Sequence, residues 1–297
     1  MGTPDLIKID DPGDERVELY RNQKDAWLKV QQGLTPADRE RGLFMAEGEV
    51  VIRTLIESGR EVRSVLVSEH RVETLSGLLS SVPEDVPVYV ASRGLLESIV
   101  GFDMHRGVLA AGVRWPMPML EELMADRRTL VVLEDIANHD NIGSVFRSAA
   151  ALGGLDQVGV VLSPRCCDPL YRKAVRVSMG TVLRVRWTIA TDWPECLTGL
   201  HHAGWRSLAL TPASGATAIE AVTARDKVAL VLGAEGPGLT REASQLCSDK
   251  VRIPIDPHVD SLNVAVAGAV ALSHLPAVSI SGPGGAPLAL QRRSPRV

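Results

Sequence analysis

The sequence predicts an α/β protein of two domains, a small mixed layer domain followed by a larger one built on a parallel sheet. Three observations predict it. Beyond residue 129, strand-like and helix-like segments alternate regularly, as in chains whose β-α units feed a parallel sheet. Several of those strands are unbroken apolar runs rather than alternating ones, which is what strands covered on both faces require. Between the halves, residues 114–128 (RWPMPMLEELMADRR) break the pattern with two prolines and place the domain boundary there.

The elements follow in chain order. Residues 1–15 are polar, with Pro and Gly, and read as a loose leader. From 16 to 113 an amphipathic helix is expected over Glu47–Ser58, then the strand Val62–Ser68 and a helix near Glu73–Leu79. The strands Val86–Ala91 and Gly107–Val113 complete that domain. The second domain (129–276) opens with the strand Leu130–Glu134, a helix near Ile142–Leu152 and the strand Val158–Leu162. It continues with a helix near Tyr171–Met179, the strand Val182–Trp187 and a helix near Trp193–Ala203. Strands at Ser207–Thr211, Val228–Gly233 and Lys250–Ile255 follow, with helices near Arg241–Leu246 and at Val264–Leu275. The tail, residues 277–297, is rich in Pro, Gly and Ser, a composition that favours disorder.

Composition removes whole classes of function. With 45% hydrophobic and 23% charged residues the chain can bury a core, so it is not a disordered protein. No run approaches the roughly 20 apolar residues of a membrane span, and the acidic start lacks the apolar centre of a signal peptide. A cytoplasmic protein without a membrane partner is expected. Cys166, Cys167, Cys196 and Cys247 show no C-x-x-C spacing, so neither a zinc site nor a disulfide framework is indicated. A net charge of −4 argues against a protein that coats nucleic acid. Locally the balance reverses, because Arg165, Arg172, Lys173, Arg176, Arg184 and Arg186 face a single acid, Asp168, in one stretch. That stretch reads either as an RNA contact or as a solvated helix face.

In an open parallel sheet, ligands lie beyond the carboxyl ends of the strands. Three loops there have unusual content: DIANHDNIGSVFRS after Leu130–Glu134, AEGPGLT after Val228–Gly233, and DPHVDSLNVAVAG after Lys250–Ile255. Taken singly they have plain readings. Asn141 and Ser261 can be helix caps, and Gly233, Gly236 and Gly238 can make a tight turn. No G-x-G-x-x-G follows the first strand, and GAEGPG lacks the Lys-Ser/Thr pair of a P-loop, which disfavours a nicotinamide dehydrogenase or an NTPase.

Together, Asn141–Ser148 (NIGSVFRS), Leu232–Leu239 (LGAEGPGL), Ile253–Ile255 and Ser261–Ala267 (SLNVAVA) resemble the three ordered motifs of SpoU-type RNA ribose methyltransferases, of the SPOUT superfamily, over about Leu130–Leu275. Phe44–Val51 and His105–Ala110 are similar to that family's N-terminal RNA-binding domain, which resembles ribosomal L30e-like proteins. Here His105-Arg106-Gly107 stands where the family has His-Gln-Gly.

The resemblance implies S-adenosylmethionine as cofactor, RNA as substrate, a homodimer, no metal, and a deep trefoil knot in the parallel-sheet domain. Periodicity alone would give a doubly wound open sheet. Carried over residue by residue, it implies that Gly233, Ile253 and Leu262, with Leu210 and Thr211, hold the cofactor. Asn141, Arg147, Glu235, Ser261 and Asn263 would serve catalysis, and Arg165, Arg172, Lys173, Arg176, His105 and Arg106 would meet RNA. A guanidinium stays charged in proteins, so Arg147 is read as a phosphate clamp and alkoxide stabiliser rather than as a base. The plain alternative pairs Arg147 with Asp135 or Asp140. At the level of the whole chain, the competing readings are a non-catalytic RNA-binding or ribosome-assembly protein and, more distantly, a Rossmann oxidoreductase.

Overall fold

A computed structural model describes residues 5–21, 42–101, 104, 106–223, 227–275, 280–281 and 287–288. The chain divides into two compact units. Unit 1 comprises residues 1–117 with Ile142–Ser144 and Asp168–Arg184, and unit 2 holds the rest. The units therefore change over at Met117–Pro118, inside the segment 114–128.

Unit 1 is built on five strands: β1 (Leu6–Lys8), β2 (Leu43–Glu47), β3 (Val62–Ser68), β4 (Val88–Ala91) and β5 (Val108–Val113). They lie in the order β1-β4-β3-β5-β2, with β1, β4 and β3 parallel and β5 antiparallel to both β3 and β2. Strand β1 lies in the segment expected to be a loose leader. Three residues suffice there because β4 offers an open edge and Ile9 is buried beside it. Helices α1 (Glu49–Glu57), α2 (Ser76–Leu79) and α3 (Arg93–Val100) complete the unit, together with α4 (Arg172–Val177) from the later part of the chain.

Three ion pairs tie that later segment to the sheet. Arg114 donates to both carboxylate oxygens of Asp168, at 2.7 and 3.3 Å, and also to the Leu43 carbonyl. Arg172 and Arg176 of α4 share the buried carboxylate of Glu47, at 3.6 and 3.2 Å. Gly143 also belongs here, since a Cβ on it would lie 2.7 Å from the Ala174 carbonyl.

Unit 2 carries seven strands, all parallel: β6 (Thr129–Leu133), β7 (Val158–Leu162), β8 (Arg186–Ile189), β9 (Arg206–Leu210), β10 (Thr217–Ala218), β11 (Val228–Leu232) and β12 (Asp249–Arg252). Their order is β10-β12-β9-β11-β6-β7-β8. Every residue of β6, β7 and β11 is buried, as their apolar runs predict. Strand β8 starts four residues later than expected because Thr181–Leu183 forms a turn of 3-10 helix.

The helices of unit 2 are α5 (Leu120–Asp126), α6 (His139–Gly153, whose residues 142–144 group with unit 1), α7 (Cys196–His202), α8 (Arg241–Leu246) and α9 (Val264–His274). Helix α5 lies in the segment read from its prolines as a break: both prolines precede it, and LEELMAD is a competent helix sequence once they are passed. A two-residue antiparallel ladder joins Ile280–Ser281 to Pro287–Leu288, and the remaining expected tail lies outside the described residues.

Candidate active site

Parallel strands put all their carboxyl ends on one edge of the sheet, and the order reverses direction between β6 and β11. That reversal is where an open α/β sheet leaves a crevice. A cavity of about 280 Å³ opens on the same edge, beside that reversal, lined from the ends of β9, β11 and β12 and the start of α9.

The loop after β11 forms its central wall. Gly238 N–H donates to the Ala234 carbonyl, folding the loop back on itself, and Gly236 (φ +87°) and Gly238 (φ +71°) take left-handed conformations that other residues adopt at a cost. A Cβ on Gly233 would lie 2.2 Å from the backbone of Gly238 and Leu239. The requirement for glycine at 233 therefore comes from the returning loop.

Leu210, Thr211, Gly233, Ile253 and Leu262 all line this cavity, as do Glu235, Ser261 and Asn263. Sequence reasoning gave no role to Pro212, Ala234, Ile255 and Ala267 in the same wall; the last three lie within the quoted motifs, and Pro212 follows Thr211.

Asn263 joins the three motifs. Its Nδ2 donates to Asn141 Oδ1 at 3.0 Å and to Glu235 Oε1 at 2.9 Å. Its Oδ1 accepts from the backbone N–H groups of Ala265 and Val266, so it is the N-cap of α9. Ser261, considered as a cap, lies two residues too early for that position. Asn141 is likewise not a cap, because Asn138 fills the position by accepting from Asp140 N–H at 2.8 Å. Asn141 is the third residue of α6 and only 5% exposed, and its Nδ2 is buried with no hydrogen-bond partner among the described residues.

Arg147 stands apart. It does not line the cavity, it is exposed, and among the described residues it has no ion-pair partner. An interval of six helical residues turns it about 120° from Asn141, which accounts for one side chain being buried and the other exposed. The plain alternative fails at Asp135, whose carboxylate already pairs with Arg165 Nε at 3.0 Å. That guanidinium, with Ser163 donating at 2.8 Å, holds the Asp135 carboxyl below its usual range.

Of the residues expected to meet RNA, Arg172 and Arg176 are engaged with Glu47 and Arg165 with Asp135. Arg186 of the same basic stretch pairs with Asp126 and Glu122. Lys173 lies on α4 between Arg172 and Arg176, and Arg106 is exposed, with its stem lying across Gly48. His105 lies outside the described residues.

All four cysteines are free thiols. Burial pushes the thiols of Cys166, Cys196 and Cys247 up, the last two to about 12 and about 11. Among the described residues no group of three His, Cys, Asp or Glu side chains could hold a metal, and no helix is long and apolar enough to cross a membrane.

Comparison with known proteins extends these observations. The SpoU rRNA methylase family model matches residues 128–273. A protein of Mycobacterium bovis, named as an uncharacterized tRNA/rRNA methyltransferase, is 39% identical over 272 residues, 90% of each chain. The crystal structure of an AdoMet-bound rRNA methyltransferase from Sinorhizobium meliloti superposes with a TM-score of 0.72 at 23% identity, covering 91% of this chain and 97% of that one. The SpoU methyltransferase AviRb from Streptomyces viridochromogenes, in complex with AdoMet, gives 0.70 at 22% identity, covering 88% and 97%. At those identities the two structures share the fold with this chain.

Proposed function

The chain belongs to the SpoU rRNA methylase family, and from that premise we propose that it transfers the methyl group of S-adenosylmethionine to the 2'-oxygen of a ribose in ribosomal or transfer RNA. The observation that carries this reading is the chemistry of the cavity. Its lining offers apolar side chains, backbone groups, the hydroxyls of Thr211 and Ser261, the amide of Asn263 and one carboxylate, Glu235, and among the described residues no Lys, Arg or His. The first N–H groups of α9, which could otherwise receive a phosphate, are already capped by Asn263. Such a lining suits a nucleoside that carries a positive sulfonium and no phosphate, and it disfavours dinucleotides and nucleoside triphosphates.

In this reading Leu210, Thr211, Gly233, Ile253 and Leu262 hold the adenosine part, mainly through backbone groups. The cofactor, when bound, supplies an electrophilic methyl on sulfur. The chain's own task is to align the ribose hydroxyl with that methyl. Asn263 and Ser261 orient the ribose or its phosphate, and Glu235 orders the loops by holding Asn263. Arg147, always charged and free of partners among the described residues, clamps the RNA phosphate and stabilises the developing alkoxide. Its place outside the lining supports a site completed across a homodimer. The order β12-β9-β11, in which the last of the three strands lies beyond β9, supports the knotted topology of the family. Unit 1 serves in this reading as an L30e-like RNA-binding domain. Arg165, Arg172, Lys173, Arg176, Arg106 and His105 meet RNA, and the engaged arginines exchange carboxylate for phosphate. The protein works in the cytoplasm.

Titration calorimetry with S-adenosylmethionine, followed by transfer of labelled methyl to ribosomal and transfer RNA, tests the proposal. Label is expected in dinucleotides that resist alkali, because a 2'-O-methyl group blocks the neighbouring cleavage. Label on a base instead would overturn ribose specificity. RNA binding without any heat of cofactor binding would favour the non-catalytic reading.

A further inference from the structure

Glu134 holds both ends of the loop that walls the cavity. Its backbone N–H donates to the Leu232 carbonyl at 2.8 Å, where the loop leaves β11. Its carboxylate accepts from Thr240 N–H and from Thr240 Oγ1, each at 2.8 Å, where the loop runs into α8. Trp193 Nε1 is the third donor, at 2.9 Å. The intervening residues include Gly233, Ala234, Glu235, Gly236 and Gly238 of the cavity lining.

The residue is only 1% exposed, and among the described residues it forms no ion pair. Removing a carboxylate from water is costly unless donors replace the water. Here two of the three donors come from the single residue that ends the loop. The backbone bond to Leu232 would form with any side chain at this position, so the carboxylate is needed for the far end.

We infer that Glu134 is a positioning residue that clasps this loop, setting the cavity wall and the place from which Glu235 reaches Asn263. The inference rests on the reading that the cavity takes S-adenosylmethionine. Glu134 is seven residues before the first motif in this chain, and no motif residue identifies it.

Glu134→Gln tests it, because an amide presents one acceptor and one donor group to three converging donors. Two readouts apply. Backbone amides of residues 233–240 should exchange hydrogen faster in the unliganded protein, and the Kd for S-adenosylmethionine should rise about tenfold, the scale of one lost hydrogen bond to a charged group. In turnover, KM for the cofactor should rise while kcat at saturation stays near the wild-type value. Thr240→Val should act in the same direction and Thr240→Ser should restore both readouts, which keeps the test available if Glu134→Gln does not fold.

Ser207→Ala controls for stability alone. Ser207 bonds His201 and Ser248 at the amino ends of the strands, so its loss should lower Tm without changing loop exchange or cofactor affinity. Wild-type exchange and Kd in Glu134→Gln, whatever happens to Tm, would overturn the inference. If the wild-type chain itself gives no heat with S-adenosylmethionine, the cofactor reading fails, and the exchange rates still decide whether Glu134 clasps the loop.

Discussion

At the scale of single residues, hydrogen bonding separates the motif side chains into two kinds. Asn263 bonds both Asn141 and Glu235, so changing Asn263 disturbs both, and changing either of them disturbs Asn263. Arg147 has no such partner among the described residues, so it can be replaced without unpairing a neighbour. Arg147→Ala is expected to lower single-turnover methylation by at least ~10²-fold while leaving cofactor Kd unchanged, the scale of losing one preorganised electrostatic donor. Arg147→Lys should recover little, since an ammonium lacks the planar fork that grips a phosphate. Near-normal turnover in the alanine variant would remove Arg147 from the mechanism.

The cysteines give a second expectation at this scale. Burial raises the Cys247 thiol from its ordinary 9.0 to about 11, so the folded chain keeps a proton that the unfolded chain loses at lower pH. The resulting stability is whole below pH 9.0 and is lost as pH rises toward 11. Tm measured from pH 8 upward should therefore fall more steeply for the wild type than for Cys247→Ser; parallel curves would show that this thiol does not titrate as its burial implies.

Among the elements, α9 is the one whose composition exceeds its burial. VAVAGAVALSH is apolar around its whole circumference, a pattern expected of a helix covered on every side. Val264, Ala265, Gly268, Ala271 and Leu272 are buried, while Val266 on the opposite side is 50% exposed. A second copy of the chain would cover that face, and the small residues permit close approach. Light scattering at micromolar concentration should give twice the chain mass for the wild type and a lower mass for Val266→Asp, with an unchanged circular dichroism spectrum. A wild-type mass of one chain would overturn the homodimer. Helix α6 teaches a related lesson. Its body, Ile142–Leu152, was legible from its apolar spacing, but its first turn was not, because Asn138 and Asn141 are equally good caps by type. Which one caps depends on where β6 ends, and that is fixed by strand pairing.

For the whole molecule, residues 168–184 belong to unit 1 although they fall between strands of unit 2. Deleting residues 1–113 removes Glu47 from Arg172 and Arg176 and the Leu43 carbonyl from Arg114. All the residues that line the cavity remain. The shortened chain is expected to bind S-adenosylmethionine with the Kd of the full chain, to lose RNA binding, and to melt at a lower temperature with more dye-accessible apolar surface around Ala174 and Val175. Loss of cofactor binding, or methylation of RNA as efficient as that of the full chain, would contradict this division of labour.

What the sequence determined by itself was local. Apolar runs marked the buried strands β6, β7 and β11, and glycines marked the loop after β11 as a tight return. The three motifs named six residues that line one cavity, and the end of β9 added Leu210 and Thr211, because in a parallel sheet every loop after a strand opens on the same edge. Only the tertiary structure decided which of those residues bond to one another, since Asn141 and Asn263 stand 122 positions apart. It also decided that Glu134 closes the loop after β11 and that Glu47 occupies two of the arginines read as RNA contacts. These pairings follow from the strand order β12-β9-β11-β6 and from the pairing of a late helix with an early sheet. Such long-range geometry is set by how buried surfaces fit together, and neither spacing nor composition along the chain encodes it.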